Sequence, residues 1–308
     1  MGDGQGTILV TGATGYVGRA VVARLAQDGR RVIAAVRTLH QAPVGVTPVA
    51  LGDMTGPIDW ASALAGVDCV IHCAARAHVL NDRTADTLAA FRAANRDAVL
   101  TLARAAATAG VRRLVFLSSI KVNGEQTRDR PFKASDLPAP QSDYAISKWE
   151  AEQGLAEIAA ATGLEVVVIR PPLVFGPDPK GNLGTLRKAI DRGLPLPFGL
   201  TKRNRRDLVS LDTLADLIVR AINHPDAPGG VLMVSDGRAM STRDIVRRIA
   251  ADAGRRARLV PVPSVVLAML LRLIGKRADA NQLFGNLEVD ISETRRRLDW
   301  RPETLVAA

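Results

Sequence analysis

Two cysteines in 308 residues, Cys69 and Cys73, leave no disulfide framework to build on. Their spacing does not suit a structural zinc site either, which needs four ligands, so no metal is expected and both read as small buried hydrophobes. Aromatic residues make up only 4% of the chain. Few side chains can therefore stack on bases, no DNA-binding motif appears, and nucleic acid is not the expected partner. No apolar run is long enough to span a bilayer. The longest, from Val262 to Ile274, carries Pro263 and Arg272 and is expected to form a buried or groove-lining helix, with a membrane-surface helix the alternative. The N-terminus lacks the charged start and apolar core of a signal peptide, which gives a cytoplasmic expectation with no membrane insertion. Acidic residues are outnumbered, 31 against 41 basic, for a net charge of +10. The basic clusters at Arg203/Arg205/Arg206, Arg255/Arg256/Arg258 and Arg295 to Arg297 are scattered, which suits a basic surface serving phosphorylated small molecules.

What the chain does have begins at its seventh residue. Thr7 to Val10 reads as a buried parallel strand, Gly12, Gly15 and Gly18 follow, and Val17, Ala20, Val21, Ala23 and Leu25 give a helix with one apolar face. Strand, glycine turn and helix in that order open a dinucleotide-binding fold. The turn lets backbone N–H groups of Thr14, Tyr16 and Val17 approach a pyrophosphate, and the helix N-terminus adds partial positive charge. Gly18 lets the helix pack closely on the strand.

Further strands are expected at Val32 to Val36, Val46 to Leu51, Val67 to Cys73, Arg113 to Leu117 and Glu165 to Ile169, alternating with helices. That alternation predicts an α/β fold, a Rossmann doubly wound parallel sheet, over residues 1–170. The second strand ends in Arg37 where a carboxylate for a ribose 2′-OH is usual, so NADP(H) is favoured, with NAD(H) possible. Ala74 and Ala75 are small residues where a cofactor could lie close. Arg76 to Asp86 reads as a polar loop at the carboxyl edge of the sheet. A long helix is expected over 88–109, with Asn95 interrupting its apolar stripe, and another over 144–161, with Ser142 or Asp143 as N-cap. Tyr144 and Lys148 project from one face of the latter. After Arg170, prolines and glycines break the pattern. Residues 171–308 are expected to form a smaller substrate-binding part, with a helix near 211–223 returning to the first domain.

Together these features resemble an extended short-chain dehydrogenase/reductase of the nucleotide-sugar branch. The motifs are TGATGYVG at 11–18, Ser119, Tyr144-x-x-x-Lys148, RPPLVFGP at 170–177, RDLVSLD at 206–212 and RRLDWRP near the end. The resemblance implies Tyr144 as general acid/base, its phenol pKa lowered by Lys148 and the oxidised nicotinamide, with Lys148 also on the nicotinamide ribose. Ser119 would steady charge on the substrate oxygen, and Asn95 would belong to a catalytic relay. Asp53 would contact adenine, and Met54 and Pro171 would complete the cofactor site. Arg206 would bind the substrate diphosphate, with Lys180, Gly181 and Asn182 beside the diphosphate and sugar. The family commonly dimerises through the helices at 88–109 and 144–161. Dehydratases of this branch carry Thr-Asp-Glu after the fifth strand; Ser119, Ile120 and Lys121 stand here, so elimination lacks its acid and base. The expected activity is NADPH-dependent reduction of the 4-keto group of a UDP-linked 6-deoxy-N-acetyl hexulose for surface polysaccharide. The alternatives are a UDP-sugar 4-epimerase with bound NAD, reduction of other carbonyls, and a non-catalytic cofactor-sensing regulator.

Overall fold

The structure, a computed structural model, describes residues 6–77, 84, 86–179, 181–273 and 283–303. Seven parallel strands form the main sheet: β1 (Thr7–Thr11), β2 (Val32–Val36), β3 (Thr47–Ala50), β4 (Val67–His72), β5 (Arg113–Leu117), β6 (Glu165–Arg170) and β9 (Gly230–Met233). Their order is β3-β2-β1-β4-β5-β6-β9, so the doubly wound sheet anticipated from the alternation is present. The order reverses between β1 and β4, which places a crevice for ligands at the carboxyl ends of those strands. A second, two-stranded parallel sheet joins β7 (Leu173–Phe175) to β8 (Leu208–Ser210).

The central strands β1, β4, β5 and β6 are mostly buried because their runs are almost wholly apolar, while the edge strand β3 is largely exposed. On one face α1 (Tyr16–Gln27) and α7 (Leu211–Asn223) bury Val21, Val22, Leu25, Leu214, Leu217 and Ile218 against the sheet. On the other, α2 (Trp60–Ala63) and two longer helices cover Leu9, Val70, Leu114 and Phe116. Each such side chain taken out of water stabilises the fold by roughly 1.5–3 kcal/mol.

The helix expected as one piece over 88–109 is interrupted. It runs as α3 (Thr87–Arg92), a π-turn at Ala93–Asp97 and α4 (Ala98–Thr108). The widened turn brings Asn95 fully inside, where its amide has partners, and apolar spacing carries no mark of it. α5 (Asp143–Thr162) starts from Ser142, whose hydroxyl accepts from the Ala145 N–H, as expected of an N-cap. Part of the anticipated 76–86 loop, at 78–83 and 85, lies outside the described residues.

The returning helix α7 covers the expected residues. Arg24 Nη2 and Trp300 Nε1 both donate to Asp216 on α7, at 3.1 and 2.7 Å. More of the second half comes back than α7 alone: β9 adds to the sheet beside β6, and α10 (Ser292–Leu298) packs behind it. Helices α6 (Gly181–Asp191) and α8 (Thr242–Asp252) enclose a separate apolar cluster with Leu183, Ile190, Phe198, Val246 and Ile249. Of the buried or groove-lining helix expected in the longest apolar run, full burial is corrected. α9 (Ser264–Leu273) leaves Val265, Val266, Met269 and Leu273 exposed. Apolar content alone says nothing of what lies over it.

Candidate active site

The glycine turn is built for close backbone approach. Gly12 has φ +66°, and a Cβ there would stand 2.6 Å from the Ala74 nitrogen. A Cβ on Gly18 would fall 2.1 Å from the Gly12 carbonyl oxygen. The end of β4 and the first turn of α1 are therefore pressed onto the turn, and neither glycine tolerates a side chain. α1 has no side-chain cap at Gly15 and no acidic residue in its first turn. Its leading N–H groups, including those of Tyr16 and Val17, have no protein acceptor from a cap and point at the crevice beside exposed Thr14 and Gly15. A dinucleotide pyrophosphate fits this cradle.

Ser119 and Tyr144 meet deep in the same crevice. Ser119 follows β5 and caps a short 3₁₀ turn, its Oγ accepting from the Lys121 N–H at 3.3 Å. Its hydroxyl is also the hydrogen-bond partner of the Tyr144 phenol. Burial pushes that phenol up to about 12. The expected lowering by Lys148 is thus not present in the protein chain alone, because removal from water outweighs the neighbouring groups. Lys148, one turn further along α5, is 1% exposed. Its Nζ donates to the Leu117 carbonyl at 2.8 Å and lies 4.5 Å from the centre of the Phe116 ring. Burial brings its ammonium down to about 8, with the Glu152 carboxylate acting in the opposite sense. His72, at the end of β4, is pushed down to about 3 by burial and by Lys148, so it stays neutral. Lys148 is then the cation of this part of the crevice. Cys69 is buried, Cys73 half-buried, and burial pushes both thiols up to about 12.

Asn95 does not touch Lys148 through any of its hydrogen bonds. Its Oδ1 accepts from the Arg76 N–H at 2.8 Å, and its Nδ2 donates to the Arg76 carbonyl and to Ser147 Oγ at 3.2 and 3.1 Å. It fixes the segment after β4 to the helix that carries Tyr144 and Lys148. Ala74 is half-buried, Ala75 exposed and Pro171 buried. The Pro171 carbonyl accepts from the Ile120 N–H at 3.0 Å, just beyond Ser119.

A buried ion pair behind the site went unread in the sequence. Arg170 and Glu152 are 2% and 4% exposed at their side chains, bonded through Nε at 3.0 Å and Nη2 at 2.5 Å. Ser118 donates to the same Glu152, and Arg170 Nη1 donates to Asn123 Oδ1 at 2.9 Å. The signal available was positional: Glu152 lies one helical turn past Lys148, and Arg170 opens the RPPLVFGP stretch.

Arg206 is 8% exposed and donates through Nη1 to the Gly285 carbonyl at 3.0 Å. Burial lowers it to about 10, with Glu125 acting against that. No carboxylate among the described residues forms an ion pair with it. Glu125 instead pairs with Lys121 at 3.1 Å and accepts from Ser142 Oγ at 3.3 Å. Lys121, Glu125 and Ser142 thus form a small polar cluster after Ser119, and the Glu125 charge acts on Arg206. Gly181 and Asn182 open α6, and Lys180 lies outside the described residues. At the far end of the crevice Arg37 is exposed at the close of β2. Asp53 holds Thr55 through both its N–H and hydroxyl, at 2.9 and 2.8 Å, and is lowered by these bonds and more weakly by Arg37. Half-buried Met54 lies next to it.

The NAD dependent epimerase/dehydratase family matches residues 8–234. The chain is 41% identical over 298 residues to a UDP-glucose 4-epimerase of Vibrio cholerae, covering 96% of this chain and 90% of that protein. It is 28% identical to a ceramide reductase of Caulobacter vibrioides, covering 98% and 88%. Among solved structures, MoeE5 in complex with UDP-glucose and NAD superposes with a TM-score of 0.76 at 25% identity, covering 96% and 93%. Fold and site define an NAD(P)-dependent enzyme of the extended short-chain dehydrogenase/reductase type. The chain belongs to the NAD dependent epimerase/dehydratase family, in its nucleotide-sugar branch. No helix among the described residues is long and apolar enough to cross a membrane.

Proposed function

We propose that the protein is a UDP-hexose 4-epimerase that keeps its nicotinamide cofactor between the two halves of the reaction. The observation that carries this is the meeting of Ser119 and Tyr144 one helical turn from buried Lys148, in a fold whose α1 begins without a side-chain cap. The UDP-glucose 4-epimerase relative supports epimerisation over the 4-keto reduction favoured by the sequence reading. When bound, the cofactor supplies the hydride acceptor and then the donor. Tyr144 takes the proton of the sugar 4-hydroxyl as C4 loses its hydride, and returns it when the ketone is reduced on its other face. Ser119 donates to the same oxygen while charge develops on it. Lys148 holds positive charge and the ribose, Asn95 positions the α5 helix, and Arg206 with Gly181, Asn182 and Lys180 receives the diphosphate and sugar. The substrate-binding part comprises residues 171–308, and the 88–109 and 144–161 helices form a homodimer interface in a cytoplasmic enzyme. The test is incubation with UDP-glucose and NAD. UDP-galactose should form with no net reduced cofactor, and no conversion of any UDP-hexose would overturn the reading.

Arg37 favours a second reading, a 4-keto reductase using NADPH. It is a cation, exposed and free of ion pairs among the described residues, where an NAD site usually places a carboxylate. On this reading NADPH binds more tightly than NADH, and Arg37→Ala narrows the gap by about 1–3 kcal/mol. Equal affinities in the unmodified protein remove it.

A further inference from the structure

The second half of the chain presents an exposed apolar helix whose residues are not among those proposed to hold the nucleotide sugar. On α9, Val265 is 77%, Met269 61%, Leu273 71% and Val266 47% exposed. At ~100° per residue these four fall within an arc of about 100°, a single apolar stripe turned to solvent. Exposed apolar side chains also stand on two extended segments of the same half that are joined to each other. Leu196 bridges Leu259, and the Gly199 N–H donates to the Val260 carbonyl at 2.9 Å. Exposed Leu194, Leu200 and Val260 stand on these segments. Ten large hydrophobic side chains are exposed among the described residues, and seven of them lie between 194 and 273 on these elements. That concentration is not the scatter of an ordinary surface.

The charge on the same segments has one sign. Neither 192–203 nor 253–273 contains an Asp or Glu. Arg192, Lys202, Arg203, Arg255, Arg256 and Arg258 are all exposed, and none forms an ion pair among the described residues. The acids immediately before the two segments, Asp191 and Asp252, are taken by Arg187 and Arg248 at 3.0 and 3.1 Å, and Asp207 beyond the first is buried. An aliphatic stripe flanked by unpaired cations, with no acid between them, is complementary to an anionic bilayer surface. Acyl chains receive the stripe and headgroup phosphates the cations. A helix of ten residues is about 15 Å long, too short to span.

We propose that α9 and the adjoining basic segments dock this protein peripherally on anionic lipid. The experiment is co-sedimentation of the full chain with vesicles of mixed phosphatidylglycerol and phosphatidylcholine, against phosphatidylcholine alone. Binding is expected only to the anionic vesicles, weakened at least tenfold by high salt, as expected for charge attraction. The double variant Val265→Asp/Met269→Asp should reduce binding at least tenfold, a loss of buried aliphatic area, and should retain enzymatic turnover, which shows that it folds. The triple variant Arg255→Ser/Arg256→Ser/Arg258→Ser should reduce it likewise. Absence of binding, equal binding to neutral vesicles, or binding that survives the α9 variant overturns the proposal. An oligomer in solution that the α9 variant dissociates, with no vesicle binding, assigns the face to a second copy and also overturns it.

Discussion

Lys148 is a charge held away from water, and it costs the fold stability to keep it there. Its ammonium falls from an ordinary 10.5 to about 8 on burial, a difference worth about 3 kcal/mol against folding at neutral pH. The sign follows from proton counts. Between pH 8 and 10.5 the unfolded chain still binds the proton that the folded protein has released, so stability rises with pH across that window. Lys148→Met should therefore leave the cofactor-free protein as stable as before or more so, and remove that alkaline rise, while turnover falls at least ~10²-fold. Thermal melts at several pH values check this. A melting temperature well below that of the unmodified protein would mean that the bonds to Leu117 and Phe116 outweigh the cost of burial.

At the scale of elements, Arg113 ties the first half of the chain to the second. It lies 2% exposed in β5, and its Nη1 donates to the Ala221, Ile222 and His224 carbonyls at 2.7, 2.8 and 3.0 Å, closing the C-terminus of α7. Its Nε also donates to Glu165 at 2.8 Å. Arg113→Met keeps the bulk and deletes the cap, and should cost about 2–4 kcal/mol in chemical denaturation; a loss under ~0.5 kcal/mol would be that of an ordinary surface change. No periodicity in the sequence announced this arginine. The strands were legible because parallel strands covered on both faces are continuous apolar runs, and β2 and β5 were read to the residue. The π-turn at Ala93–Asp97 was not, since one widened turn shifts an apolar stripe only slightly. Tyr144 and Lys148 share one face of a helix that could be placed from the sequence, and the resemblance to the family singled out Ser119 beside them; the structure brings Ser119 and Tyr144 into a hydrogen bond. Glu152 and Arg170 pair across 18 residues, a separation no helical period marks, whereas Lys121 and Glu125 are four apart and their pairing was open to reading.

At the scale of the whole molecule, the parallel sheet carries the glycine turn and the Ser119–Tyr144 pair, while the second half supplies buried Arg206, proposed above to hold the diphosphate. Arg206→Ala should raise KM for UDP-glucose about 10–100-fold, with kcat and cofactor affinity nearly unchanged, because the diphosphate is held equally in ground and transition states. An unchanged KM would place the diphosphate elsewhere. The Ser119–Tyr144 pair itself is tested most directly by single-turnover loss of the C4 hydride from UDP-glucose in the unmodified protein and in Tyr144→Phe. The substitution keeps the ring and removes only the hydroxyl that moves the proton. Hydride loss should slow by about 10²–10⁴ with UDP-glucose binding unchanged; a Tyr144→Phe protein that transfers hydride at the unmodified rate would contradict the assignment.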